Sequence, residues 1–237
     1  FSTSFSISSG RLQKKSMPVV DSEYRMLGVI EIDDVMDVME EETTEDINLM
    51  AGMSGEERVD STVLESAKSR IPWLIVNLFT AVMAAAVVAN FESTIAKVVS
   101  LSSVMSIVTG MGGNAGTQSL TILCRGLSLG EVDKDNAFQI FCKEITVGLL
   151  SGIVIGIIVA IGAWWFASNP WFGLVAGLAM ILNMLAANIA GYLVPVILKR
   201  LNIDPALASG VFVTTVTDCM GFFFFLGLAT LFLPLLI

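Results

Sequence analysis

The 237 residues carry 13 basic and 22 acidic side chains, a net charge of −9, no histidine and three cysteines, and 54% of the chain is apolar. Without histidine, Ser-His-Asp hydrolases and histidine-bound zinc enzymes are excluded. Carboxylates, carbonyls, amides and hydroxyls remain as metal ligands, the set that suits hard cations such as Mg²⁺ and Ca²⁺. Cys124, Cys142 and Cys219 have no CxxC spacing, so neither a disulfide framework nor a thiolate metal site is supported, and no nucleic-acid partner is expected of so acidic a chain.

Charge divides the sequence. Residues 1–70 hold fifteen acids and seven bases, and residues 71–237 only seven and six. A short acidic soluble segment therefore precedes a long apolar one. Phe1–Lys15 is serine-rich and suggests no element, and the absence of a basic run with a short apolar core argues against a signal peptide. Met17–Val20 and Leu27–Ile32 read as strands around a polar turn at Asp21–Arg25, followed by a helix capped by Asp33 or Asp34. So little chain cannot bury a core, so residues 1–40 are expected to pack poorly unless a partner or the rest of a larger domain covers them. Thr43–Lys68, polar with sparse Met50, Met53 and Leu64, reads as a connecting helix leading into the membrane. The eight carboxylates from Asp33 to Asp46 fit either a solvated charge run or weak divalent-cation binding.

Crossing about 30 Å of hydrocarbon takes roughly 20 apolar residues in helix. Five stretches qualify: Ile71–Ala89, Ile95–Gly113 with a continuation toward Leu123, Ile145–Phe166, Phe172–Leu198 and Pro205–Leu235. The expected class is an all-α integral membrane protein, multi-pass in the cell membrane and in contact with its lipids. Lys68 and Arg70, then Arg125, Lys134 and Lys143, then Lys199 and Arg200 mark one set of loops as cytoplasmic, while Trp164, Trp165 and Trp171 sit at the opposite interface. The N-terminus is thus expected inside and the C-terminus outside.

Two constellations inside the apolar part could carry chemistry. "GMGGNAGTQ", Gly110–Gln118, packs four glycines into seven residues, each costing a helix about 1 kcal/mol against alanine. The chain there either unwinds beside a watery cavity, with Asn114 and Gln118 on one face, or packs closely against another helix. "VTTVTDCMGFFFF" places Asp218 within a span, where an acid costs about 2.5–3.5 kcal/mol. Asp218 reads as the single membrane-buried carboxylate, and Thr214, Thr217, Asp218 and Gly221 share one face; the alternative is a neutral carboxyl acting as glue between helices. Asn77, Asn183 and Asn188 read as interhelical hydrogen-bond partners.

"PWLIVNL" (Pro72–Leu78), "GMGGNAGTQ", "DPALASG" (Asp204–Gly210) and "FVTTVTDCMG" (Phe212–Gly221) together resemble the MgtE family of magnesium channels, over roughly residues 17–237. Ser106 stands where that family usually has a proline. The resemblance implies a partial CBS-domain tail from about residue 17 within a cytoplasmic segment 1–40, a connecting or plug helix over 41–70, and a transmembrane pore domain over 71–237. It implies a homodimer whose two-fold axis carries the pore, with hydrated Mg²⁺ held by paired Asp218 and by carbonyls near Thr214 and Gly221, and Gly112, Gly113, Asn114 and Gln118 along the pore wall. It further implies regulatory Mg²⁺ at Asp34, Asp37, Glu42, Glu45 and Asp46, closing the pore at high cytosolic magnesium. Mn²⁺, Co²⁺ and Ca²⁺ are other possible cargoes. A secondary active transporter is the rival reading, against which five spans show no inverted repeat. An intramembrane aspartyl protease needs two membrane aspartates and is remote; no enzyme is expected.

Overall fold

A computed structural model describes residues 16–53, 57–133, 135–207 and 210–237; Phe1–Lys15 lies outside the described residues. The chain divides into two compact units between Glu45 and Asp46.

In the first unit, β1 (Ser16–Val20) pairs antiparallel with β2 (Met26–Glu31). The turn is built by Asp21, whose Oδ1 accepts from the amides of Glu23 and Arg25 at 2.9 Å each, while Tyr24 takes a left-handed conformation at φ 59°. Helix α1 (Ile32–Met50) follows without a loop. Asp34 Oδ2 accepts from the Glu31 amide at 2.9 Å, satisfying an orphan donor at the helix start and setting negative charge against its dipole. Among the described residues the two strands have no second layer, and Met26 and Leu27 remain 64% and 70% exposed.

In the second unit, Met50 at the end of α1 packs against Leu120, Cys124 and Val213. The helix then stops, with Gly52 at φ 75°. The next helix, α2 (Val63–Ala89), opens with a capping box between Thr62 and Glu65. The connecting helix expected over Thr43–Lys68 is therefore two helix ends, and among the described residues between them 51–53 and 57–62 are not helical. After α2 come α3 (Glu92–Lys97), α4 (Leu101–Ser128), α5 (Ala137–Ala167), α6 (Pro170–Arg200), a 3-10 turn at Pro205–Leu207, α7 (Gly210–Leu231) and α8 (Leu233–Leu236). Among the described residues, α2, α5, α6 and α7 are long and apolar enough to cross a membrane. With 28 residues α4 is long enough, but its glycines, serines and threonines make it less apolar. The second expected span also begins later than Ile95, because Val98–Ser100 separates α3 from α4.

The centre of the bundle is α6, which packs against α4, α5 and α7, while α2 rests on α7 with most of its apolar surface open. The α5–α6 seam is made of small residues: a Cβ on Gly156 would stand 2.9 Å from the Gly177 carbonyl, and one on Gly177 would stand 2.9 Å from the Gly156 carbonyl. Such contacts let helix backbones approach where lipid gives no hydrophobic drive to associate. At one end of the bundle Thr94 and Thr230 share a hydrogen bond of 2.8 Å, and Asn169 Nδ2 donates to the Leu235 carbonyl at 3.0 Å. At the other, Tyr192 Oη donates to the Ala137 carbonyl at 2.8 Å and Lys199 Nζ to the Leu127 carbonyl at 3.2 Å.

Candidate functional site

The glycine motif does not unwind. α4 runs unbroken through Gly110–Gln118 because neighbours occupy the room that side chains would have filled. A Cβ on Gly112 would stand 2.8 Å from Asn183 Cγ, one on Gly116 would strike Val213, and one on Gly113 would touch Thr214 Cγ2 at 3.5 Å. Packing thus outweighs a propensity cost of about 1 kcal/mol per glycine. Gly112 and Gly113 face the bundle, whereas Asn114, Thr117, Gln118 and Thr121 lie on an exposed polar face of the same helix. Polar surface of that kind has no place against lipid.

On α7, Thr217 and Gly221 are buried against the bundle, while Thr214 and Asp218 are half-buried at the edge of that face. The hydroxyls are committed to their own helix: Thr214 Oγ1 donates to the Val211 carbonyl at 3.1 Å, Thr215 Oγ1 to the same carbonyl at 2.6 Å, and Thr217 Oγ1 to the Thr214 carbonyl at 3.0 Å. Asp218 opens into a groove of about 380 Å³ lined by Ala81, Ala84, Ala85 and Val88 of α2 and by Phe222. Among the described residues no basic side chain pairs with it and no hydrogen bond reaches it. Small alanines opposite the carboxylate leave space for water or a hydrated ion that larger side chains would fill.

A second carboxylate, buried within the protein, was missed in the sequence. Glu144 in α5 is 5% exposed, and its Oε2 accepts from Ser119 Oγ of α4 at 2.7 Å. Placing the third span at Ile145 left Glu144 in a loop, but α5 begins at Ala137. The signal was available: Glu144, Gly148, Gly152 and Gly156 recur every fourth residue and all face inward. Of the asparagines, Asn183 does bridge helices, with Nδ2 donating to the Val108 carbonyl at 2.8 Å. Asn188 instead donates within α6 to Met184, and the Asn77 carbonyl accepts from Thr80 of its own helix.

Asp34, Asp37, Glu42 and Glu45 are exposed along α1, with Asp46 half-buried after them. Among the described residues no three acidic, histidine or cysteine side chains converge on one metal position.

Residues 105–228, which hold both the α4 glycines and Asp218, match the family model described as MgtE, divalent cation transporter. The chain belongs to the MgtE family. It is 36% identical over 220 residues to the magnesium transporter MgtE of Enterococcus faecalis, 34% over 219 residues to that of Thermus thermophilus, and 32% over 218 residues to that of Bacillus subtilis. Each alignment covers 92% of this chain and 48% of the relative, so the chain spans about half the length of the curated MgtE proteins it matches. These relatives are named as transporters, not enzymes.

Proposed function

We propose that this chain carries Mg²⁺ across the cell membrane through a pore formed between two copies of itself, walled by α4 and α7 of each. Five helices span the bilayer in this reading, with α4 as the span whose polar face is turned to the pore rather than to lipid. The observation that carries the proposal is Asp218: a carboxylate within a membrane span, without a basic partner among the described residues, open to a groove of small residues. Such an acid must be neutralised by a cation or by a proton, or face water. Mg²⁺ sheds water reluctantly, so two carboxylates across a two-fold axis suit a largely hydrated ion. Carbonyls near Thr214 and Gly221 would accept from its water shell, and Asn114 and Gln118 would continue the polar wall.

The basic ends of the helices, with Lys68, Arg70, Arg125, Lys143, Lys199 and Arg200, face the cytoplasm, and the C-terminus lies outside. The hairpin at 16–31 is the tail of a CBS domain. Asp34, Asp37, Glu42, Glu45 and Asp46 on and near α1 bind regulatory Mg²⁺ and tie gating to cytosolic magnesium. Mn²⁺, Co²⁺ and Ca²⁺ are candidate competitors for the same path.

The deciding experiment is Mg²⁺ uptake into liposomes by the purified chain and by Asp218→Ala, with thermal stability measured on the same samples. Loss of uptake at an unchanged melting temperature is expected. Normal uptake with a lowered melting temperature would make Asp218 a structural residue and end the proposal.

A further inference from the structure

One side chain of α6 lies where α4 and α7 come together. Asn183 is fully buried, and its Nδ2 donates to the Val108 carbonyl of α4. The nearest atoms to a Cβ on Gly112 would all belong to Asn183, with Cγ at 2.8 Å and Oδ1 at 3.2 Å. On α7, a Cβ on Gly221 would stand 2.8 Å from Asn183 Nδ2 and 2.9 Å from Thr109 Cγ2. A single carboxamide therefore fills the room left by two glycines on two different helices. Gly221 is three residues beyond Asp218, about one turn along α7.

Stability alone does not account for an asparagine here. Its Oδ1 is buried with no hydrogen-bond partner among the described residues, and a buried unpaired polar atom is expensive, where a compact apolar side chain would carry no such cost. What the amide adds is direction. Its donor fixes α6 along the axis of α4, and its planar head limits how closely Gly112 and Gly221 approach. Buried polar groups that fix register at a cost in stability act in this way.

We infer that Asn183 is a positioning residue that sets the spacing and axial register of α4 and α7 beside Asp218, and so determines which hydrated divalent cations pass. The inference rests on α4 and α7 forming the pore wall. Without the spacer α4 and α7 are no longer held at one distance and register, which relaxes discrimination between Mg²⁺ and Ca²⁺. Adding a methyl group at Gly112 forces the helices apart or out of register, unless Asn183 is shortened at the same time.

Uptake of Mg²⁺ and of Ca²⁺ would be measured in liposomes for the unaltered chain, Asn183→Ala, Gly112→Ala and the double variant, with melting temperatures recorded for all four. Asn183→Ala is expected to raise the Ca²⁺ to Mg²⁺ uptake ratio several-fold. Gly112→Ala should lose about tenfold or more of its Mg²⁺ uptake, in the manner of a misplaced site. The double variant should recover most of that loss. A structural role alone would move the melting temperature and leave the ion ratio unchanged, so an unaltered ratio in folded Asn183→Ala overturns the inference even if Gly112→Ala fails to fold. Failure of the double variant to recover uptake while folded overturns it as well. Transport of neither ion by the unaltered chain would instead bring down the pore reading on which the inference rests.

Discussion

Between α5 and α6 the glycines are matched within one chain: Gly156 and Gly177 face each other's carbonyls, and little of that seam is polar. Along α4 and α7 glycines also bring backbones together, but the outer edges of these helices carry Asn114, Gln118 and Asp218, which nothing in the described chain covers. The difference teaches how to tell a packing motif from a candidate pathway when both are rich in small residues. A glycine whose Cβ would collide on every side explains itself; a polar group at membrane depth without a partner does not.

If the α5–α6 seam is purely structural, Gly177→Leu should be the most damaging change. It drives a branched side chain into Ala160 Cβ at 2.8 Å and the Gly156 carbonyl, and overpacking of this kind costs about 3 kcal/mol or more. Thermal unfolding and monodispersity in detergent would register it, and a stable, well-folded variant would show the seam to be looser than described. Glu144→Ala comes next. It leaves the buried Ser119 hydroxyl only the Asn188 carbonyl at 3.5 Å as acceptor, at about 1–3 kcal/mol, whereas Glu144→Gln keeps the closer acceptor and loses less. Equal melting temperatures for the two would mean that the Ser119 contact contributes nothing.

Much of this division could be read from the sequence, and the failures have physical causes. The four most apolar helices fall where hydropathy puts them, because burial of long apolar runs is decided locally by composition. The continuity of α4 was not legible, since glycine propensity speaks for unwinding and only the intruding side chains of Asn183 and Val213 explain why the helix persists. Glu144 was lost through an end placed eight residues late, and the start of α2 could have been found from Thr62 and Glu65, the capping box in "STVLES". The polar faces of Asn114 and Asp218 were visible as residues. That α2 meets Asp218 with alanines, and that Thr217 and Gly221 turn inward from it, depends on tertiary placement that no local pattern encodes.

The opposite side of the comparison is tested by Asn114→Ala combined with Gln118→Ala. Exposed on α4, they should change stability by no more than about 0.5 kcal/mol each while Mg²⁺ uptake falls several-fold. A large drop in melting temperature with uptake per folded molecule unchanged would place them with the structural glycines instead. The smallest effect is expected outside the membrane, where Glu57 accepts from Arg70 Nε at 2.8 Å and that hydrogen bond holds its carboxyl below the ordinary carboxylate range. A depressed carboxyl contributes stability that is fully present above its unfolded value and lost as pH falls through the folded one. The gap in melting temperature between the unaltered chain and Arg70→Ala should therefore hold steady from neutral pH to the ordinary carboxylate range and close below it; a gap that widens on acidification would contradict the pairing.

The threonines of α7 have a consequence for the sign of charge. Thr214, Thr215 and Thr217 all turn their hydroxyl hydrogens back onto carbonyls of their own helix. Thr217 is buried, but at the part-exposed Thr214 and Thr215 what remains outward is lone pairs, beside a carboxylate that also only accepts when ionised. A hydrated cation presents water hydrogens to its surroundings and finds acceptors in these hydroxyls; a hydrated anion finds no donor among them. If α7 walls the pathway as proposed, the two part-exposed hydroxyls of Thr214 and Thr215, with their hydrogens folded inward, would disfavour anions in addition to the charge of Asp218.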